Sequence, residues 1–202
     1  MIWKFSNEVG RKIIHLSALI LLSIHHKLVN EFGKDVAMFF LLIVLCIILV
    51  YEYMRLDLKL KLPFQQFIRY RERSRLSGAV YVLASMIICF AVFDRQIASA
   101  AMSMFIISDA IAALVGVNVK GIKIPNLKRR TVEATLACFA ANLIVGFYVL
   151  HFESFLKSEL IIALVMSITS TLVGLLTYKL EDNLGIPIAT GLVGQILAWW
   201  LG

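Results

Sequence analysis

The residues of this chain best suited to chemistry are acidic and amide side chains that lie inside or beside apolar stretches. Asp109 lies within FIISDAIAALVG, and Glu181, Asp182 and Asn183 follow one another in TYKLEDNLGIP, between two apolar runs. Ionisable groups in such surroundings are costly and usually mark a functional site. Because Mg²⁺ prefers oxygen ligands such as carboxylates and amides, carboxylates together with the amide of Asn183 suit a hard cation such as Mg²⁺.

A second group of residues suits bound phosphate. Lys and Arg pair with phosphate oxygens, and glycine lets the backbone approach a ligand closely. The candidates for nucleotide or phosphate binding are Arg11, Lys12, Lys128, Arg129, Arg130, Thr131, Gly116 and Gly121. His15 lies on the same helical face as Arg11 and Lys12, because Glu8, Arg11, Lys12 and His15 repeat at i, i+3, i+4 and i+7.

The elements that must position these residues are membrane-spanning helices, each of which needs about 20 mostly apolar residues. The 202 residues are 60% hydrophobic and only 16% charged, with a mean hydropathy of +0.87. These values exclude an ordinary soluble domain and predict an all-α, polytopic integral membrane protein with a single domain over residues 1–202. We expect seven transmembrane helices, over residues 9–28, 36–54, 76–93, 97–116, 132–150, 159–178 and 186–202.

The distribution of Lys and Arg predicts how these helices are oriented, since basic loops stay on the cytoplasmic side. With the N-terminus inside and the C-terminus outside, all but four of the 20 Lys and Arg residues lie on the inner side. The same orientation brings acidic residues and a histidine from five helices to the inner leaflet at shallow depth. They are Glu8, His15, Glu52 (which is followed at i+3 by Arg55), Asp109, Glu133, Glu181 and Asp182.

Several of these residues also have structural explanations. Arg11 and Lys12 could extend to lipid head groups. Asp182 or Asn183 could cap the seventh helix. Glu133 could complement the positive end of the fifth helix.

The order Glu181, Asp182, Asn183 sets a condition on the backbone. Adjacent residues of a helix point about 100° apart, so Glu181 and Asp182 can share one metal ion only if the helix unwinds there. Gly185 and Pro187 favour such a break. We therefore expect Asp182 and Asn183 to face the metal, with Glu181 as a further ligand or as an orienting partner of a basic residue.

Five segments resemble, in order, the motifs of the family of dolichol kinases, phytol kinases and CTP-dependent diacylglycerol kinases. They are EVGRKIIH, YEYMR, SDAIAALVGVNVKG, KRRTVEAT and EDNLGIP, and they span nearly the whole chain. One departure stands out. Where the family has Lys-Thr-x-Glu-Gly, this chain has Arg130, Thr131, Val132, Glu133 and Ala134, which keeps the cationic charge but loses the glycine.

The resemblance implies roles for the candidate residues. Asp109, Glu133, Glu181, Asp182 and Asn183 would bind the metal and the triphosphate. Arg11, Lys12, Arg129 and Arg130 would hold phosphates. His15 would lie close to the hydroxyl group of the lipid.

The function we expect is transfer of the γ-phosphoryl group of CTP, with Mg²⁺, to a membrane-embedded lipid alcohol. The alcohol would be a polyprenol such as dolichol, phytol or diacylglycerol, and the active site would face the cytoplasm. Asp109 or His15 would act as the general base, and the sequence does not rank them.

Two other functions stay open at this point. A CTP-using cytidylyltransferase, similar to CDP-diacylglycerol synthases, would need the same metal and cationic residues, although their S-x-x-x-K-R and G-G-x-x-D-R-x-D stretches are absent from the sequence. A transporter would need ionisable groups at the membrane centre, where the sequence offers only Asn142 and Gln195, residues that suit interhelical hydrogen bonds. The expected partners are CTP, the lipid alcohol and the bilayer, without nucleic acid, and a homo-oligomer is left open.

Overall fold

The computed structural model describes residues 2–60, 63, 74–118, 121–124, 131–153, 158–176 and 182–201, with the side chains of 2–15, 117, 118 and 153 left out. These residues form seven α-helices, as the seven apolar stretches predict, and one isolated bridge between Lys123 and Thr131. The helices are α1 (Ile2–Phe32), α2 (Lys34–Leu56), α3 (Gly78–Val92), α4 (Arg95–Asn118), α5 (Val132–Glu153), α6 (Glu159–Leu176) and α7 (Asp182–Leu201).

Five of these helices are long and apolar enough to cross a membrane, which confirms the all-α membrane class. They are α2, α4, α5, α6 and α7. Helix α3 is equally apolar but has only 15 residues, or about 22 Å of length at 1.5 Å per residue. Seven spans and the inward N-terminus therefore stay predictions.

The predicted start of the seventh helix at residue 186 is wrong, whereas the unwinding expected between Glu181 and Asp182 stays a prediction, because Glu181 lies outside the described residues. Helix α7 begins at Asp182, four residues earlier than predicted, and continues through Gly185 and Pro187. Pro187 lacks the N–H that would bond the Asn183 carbonyl, so the helix gives up one backbone hydrogen bond near its start. Pro187 is buried, and its packing offsets that loss.

The chain divides into two compact units, residues 1–87 and residues 88–202. In the first unit α1 packs against α2, and Glu52 and Arg55 form a buried ion pair, with 2% and 5% of their side chains exposed. The Arg55 guanidinium also donates to the Arg75 carbonyl at 2.6 Å. This contact holds the segment before α3 against the end of α2.

In the second unit α4 is the central helix. It packs mainly against α5 and α7, while α6 packs against both of them. In its apolar stretch 67% of the residues are buried, against 22–28% in α5, α6 and α7. Small side chains explain this, because they let neighbouring helices approach closely. The buried small residues of α4 are Ala98, Ser99, Ala100, Ala101, Ser103, Ser108 and Ala110.

Glycines on the surrounding helices make the closest of these approaches. A Cβ added at Gly146 would lie 2.9 Å from Met104 Cε, and one at Gly194 would lie 2.6 Å from Met166 Sδ. At Gly191 it would lie 2.4 Å from the ring of Phe93. The close packing of α5 and α7 in this unit therefore explains the glycines at these positions.

A reciprocal pair of hydrogen bonds fixes the start of α4 to α7. The Asp94 backbone N–H donates to Gln195 Oε1 at 2.7 Å, and Gln195 Nε2 donates to Asp94 Oδ2 at 2.7 Å. Gln195 is only 4% exposed, so both polar ends of its amide are satisfied by one residue. Beyond it, Trp199 and Trp200 are exposed at the end of α7, as expected where a helix leaves the bilayer.

We predict that Gly191→Ala destabilises the protein by about 1–3 kcal/mol, because its methyl group would overlap the buried ring of Phe93. The measurement is the midpoint of thermal unfolding in detergent. Gly116→Ala is the matched control, since an added Cβ there has no heavy atom within 4 Å. Equal losses in the two variants would contradict the packing argument.

Candidate functional site

A polar cleft with a cavity volume of about 50 Å³ lies within the second unit and is lined by α4, α5, α6 and α7. Each helix contributes residues of one face, at spacings such as 105, 108, 109 and 112 on α4. The polar residues that line it are Ser108, Asp109, Thr135, Cys138, Asn142, Ser170, Thr171 and Asp182. Phe105, Ala112, Gly174 and Ile186 are among the other lining residues.

The cleft lies toward the end of the unit where α4 and α6 finish and α5 and α7 begin. Asp182 is the first residue of α7, whereas Asp109 lies nine residues before the end of α4, or about 14 Å along its axis. Both carboxylates nevertheless line the same cleft. The structure thus brings together two of the five predicted metal ligands.

Asn142 forms the link between α5 and α6 at this cleft. Its Nδ2 donates to Ser170 Oγ at 3.2 Å and to Thr171 Oγ1 at 3.4 Å. Asn142 is only 1% exposed. The interhelical hydrogen bonds expected for Asn142 are therefore confirmed.

Three hydroxyl groups and the thiol that line the cleft, those of Ser108, Thr135, Thr171 and Cys138, donate their hydrogens to backbone carbonyls. Thr135 donates to Thr131 O at 2.9 Å, and Thr171 donates to Ser167 O at 2.8 Å. Cys138 Sγ donates to Ser108 O at 3.5 Å, which joins α5 to α4. These side chains therefore present lone pairs, rather than hydrogens, to a ligand in the cleft.

Glu133 holds the segment 121–124 against the start of α5. Both of its carboxylate oxygens accept from the Ile122 N–H, at 3.1 and 2.9 Å, and the Val132 N–H donates to the Ile122 carbonyl at 3.0 Å. Glu133 also lies in the first turn of α5, where a negative charge complements the helix dipole. It is not among the residues that line the cleft, and its role as a metal ligand stays a prediction.

The two candidate glycines differ in their surroundings. A Cβ at Gly121 would lie 1.9 Å from Glu133 Oε2, so the carboxylate occupies the space of a side chain there. Gly116 lies inside α4, and a Cβ added there would have no heavy atom of another described segment within 4 Å. Thr131, another phosphate candidate, accepts from the Ala134 N–H at 3.3 Å and caps α5.

The remaining candidates are less fully described. Asn183 is half-buried as the second residue of α7. Arg11, Lys12 and His15 belong to α1 of the first unit, in the stretch whose side chains are left out. Lys128, Arg129, Arg130 and Glu181 lie outside the described residues. Within the described part of the chain, no three His, Cys, Asp or Glu residues gather as metal ligands do.

Sequence reasoning missed the contribution of α6 to the cleft. Ser167, Ser170, Thr171 and Gly174 repeat at i, i+3, i+4 and i+7 in an otherwise apolar helix. That spacing marks a polar face and was legible in the sequence. It identifies a helix that must turn hydroxyl groups toward its neighbours.

Comparison of the chain with protein-family models, with curated proteins and with solved structures finds no match. The function is therefore argued from the residues and from the geometry of the cleft.

We predict that Glu133→Ala speeds hydrogen exchange at the Ile122 amide about fivefold, as loss of a hydrogen bond worth about 1 kcal/mol requires. Glu133→Gln keeps an acceptor oxygen and should retain the slow exchange. The measurement is amide exchange in detergent-solubilised protein. If Glu133→Gln exchanges as fast as Glu133→Ala, the charge rather than the acceptor holds the segment.

Proposed function

We propose that the protein is a CTP-dependent lipid-alcohol kinase that transfers the γ-phosphoryl group to a membrane-embedded alcohol. The observation that carries the proposal is the cleft between α4, α5, α6 and α7, where Asp109 and Asp182 line a polar cavity inside helices apolar enough to span a membrane. Phosphoryl transfer depends mainly on positioning and on charge stabilisation, which such a site can supply.

The donors in the cleft fit Mg²⁺. Carboxylate, amide and hydroxyl oxygens are all present, and soft ligands are limited to the thiol of Cys138. A cavity of about 50 Å³ admits about four waters, which suits an ion that keeps part of its hydration shell. Asp109 and Asp182 would hold the ion, and when bound it would neutralise charge on the triphosphate.

A cavity of this volume is too small for a whole nucleotide, so CTP would bind at its mouth with only the phosphate end inside. The segments that join α4 to α5 and α6 to α7 are rich in cations, which supports this placement. Their basic residues are Lys120, Lys123, Lys128, Arg129, Arg130 and Lys179. Arg11 and Lys12 stay phosphate ligands that only the sequence predicts.

The lipid alcohol would keep its tail in the bilayer and present its hydroxyl group to the cleft. Asp109 is the general base best supported by the geometry, because it lines the cavity. His15 is the other candidate, as the sequence pattern predicts.

The proposed orientation has seven spans, with the N-terminus and the mouth of the cleft on the cytoplasmic side. It is supported by the excess of Lys and Arg in the segments at that end, since basic loops are retained inside. The exposed Trp199 and Trp200 would then lie at the outer interface.

We predict that the purified protein transfers the label of γ-labelled CTP to a lipid alcohol, and that Asp109→Asn lowers the rate about 100-fold or more. The assay compares CTP, ATP, GTP and UTP against a polyprenol, phytol and diacylglycerol. Asp94→Asn is the matched control, because its amide oxygen can still accept from Gln195 Nε2 at the far end of the unit.

Three results would overturn parts of this proposal. Cytidine found in the lipid product would identify a cytidylyltransferase, in which the α-phosphorus of CTP is attacked. Full activity of Asp109→Asn would remove Asp109 from the site. Transfer with ATP but not with CTP would exclude the proposed donor.

Cysteine labelling tests the predicted orientation. The starting protein is a variant in which Cys46, Cys89 and Cys138 are replaced. Lys123→Cys should react with a membrane-impermeant maleimide only after permeabilisation, because its loop is cytoplasmic. Gly202→Cys should react in intact cells. The opposite pattern would invert the topology.

A further inference from the structure

Asn142 carries a buried oxygen atom for which the described contacts give no hydrogen bond. Its side chain is 1% exposed, lines the cleft, and has no hydrogen-bond partner at Oδ1 among the described residues. A buried carbonyl oxygen without a hydrogen-bond partner costs free energy, because it has lost its contacts with water. Among apolar membrane helices no water is at hand to replace them. Such an atom therefore indicates a ligand.

The orientation of the amide is fixed by its neighbours. Thr171 donates its hydroxyl hydrogen to the Ser167 carbonyl at 2.8 Å. Toward Asn142 the Thr171 oxygen can therefore only accept a hydrogen bond. An amide nitrogen that faces Thr171 and Ser170 can donate to both, at 3.4 and 3.2 Å, whereas an oxygen in its place could accept only from Ser170. This leaves Oδ1 as the atom that α5 offers to a ligand.

The lining of the cleft suits an electropositive ligand. Two carboxylates, those of Asp109 and Asp182, line the same cavity as the oxygen of Asn142. The hydroxyls of Thr135 and Thr171 give their hydrogens to backbone carbonyls and turn lone pairs toward it. An oxygen-lined, acidic cavity with room for a few waters is the environment of a hard cation.

We propose that Asn142 Oδ1 is a direct ligand of a divalent cation in this cleft, alongside Asp109 and Asp182. The inference rests on the metal of the proposed function and assigns it a protein ligand from the middle of α5. With Asn142 as a ligand, the site has a third protein oxygen even though the Glu133 carboxylate accepts from the Ile122 N–H.

The test is binding of Mn²⁺ alone to the purified, nucleotide-free protein. Electron paramagnetic resonance measures the fraction of Mn²⁺ that is bound. We expect saturable binding of one ion by the wild-type protein and an affinity about tenfold weaker or more in Asn142→Leu, which keeps the size but removes the oxygen. Asn142→Asp keeps an oxygen at this position and adds charge, so it should bind Mn²⁺ more tightly than the wild type.

Thr190→Val is the matched control. Thr190 Oγ1 is also buried without a hydrogen-bond partner among the described residues, but it is not among the residues that line the cleft. Its replacement should leave the Mn²⁺ affinity unchanged. An equal loss in Thr190→Val would mean that the affinity follows helix packing, and it would overturn the assignment.

Two further results would overturn it. One is the absence of Mn²⁺ binding by the wild-type protein. The other is unchanged affinity in Asn142→Leu, the result expected if Oδ1 holds only a water. Where Asn142→Leu does not fold, Asn142→Asp decides, because a carboxylate at a ligand position must raise the affinity and an unchanged value contradicts the proposal.

The outcome is separable from the proposed function. Mn²⁺ binding that depends on Asn142, without phosphoryl transfer from any nucleotide, would contradict the kinase and leave the cation site standing. Phosphoryl transfer together with Mn²⁺ binding that does not depend on Asn142 would support the kinase and contradict Asn142 as a ligand.

Discussion

The absence of water inside a bilayer is the constraint on which the second unit depends. Every polar group placed between the helices must find its partner in the protein or in a ligand. Gln195 meets this condition through both ends of its amide, against the single residue Asp94. Thr135 and Thr171 meet it by donating back to their own helices. Asn142 meets it at the nitrogen but, within the described contacts, not at Oδ1, which is why we propose this oxygen as a ligand atom.

Helices α4, α5, α6 and α7 have two different roles along their length. Toward the start of α4, Gly191 and Gly194 allow contacts closer than any side chain would permit, and the Asp94–Gln195 pair closes that end. Toward the end of α4 the helices leave a polar cavity between them. A rigid, close-packed end gives the cleft a fixed frame, which a site that must hold charged groups in position requires.

The sequence predicts much of this arrangement. Apolar length predicts seven helices, and the charge of the loops places Asp109 and Asp182 at one end, where both line a single cleft. It does not predict which partner each side chain takes. The Glu133 carboxylate bonds to Ile122 through a turn that helical periodicity does not describe, and α7 runs through Pro187 because packing outweighs a local propensity.

The burial of α4 on nearly all sides has a consequence for how the protein is made. Asp109 is tolerable in a membrane only when other helices cover it, since lipid offers a carboxylate no partner, whereas Ser99 donates its hydroxyl to the Arg95 carbonyl of its own helix. Helices α5, α6 and α7, which supply that cover, all follow α4 in the chain. During synthesis, the helix that most needs protein around it therefore enters the membrane before its neighbours exist. A protein-lined insertion site must shelter it until they arrive.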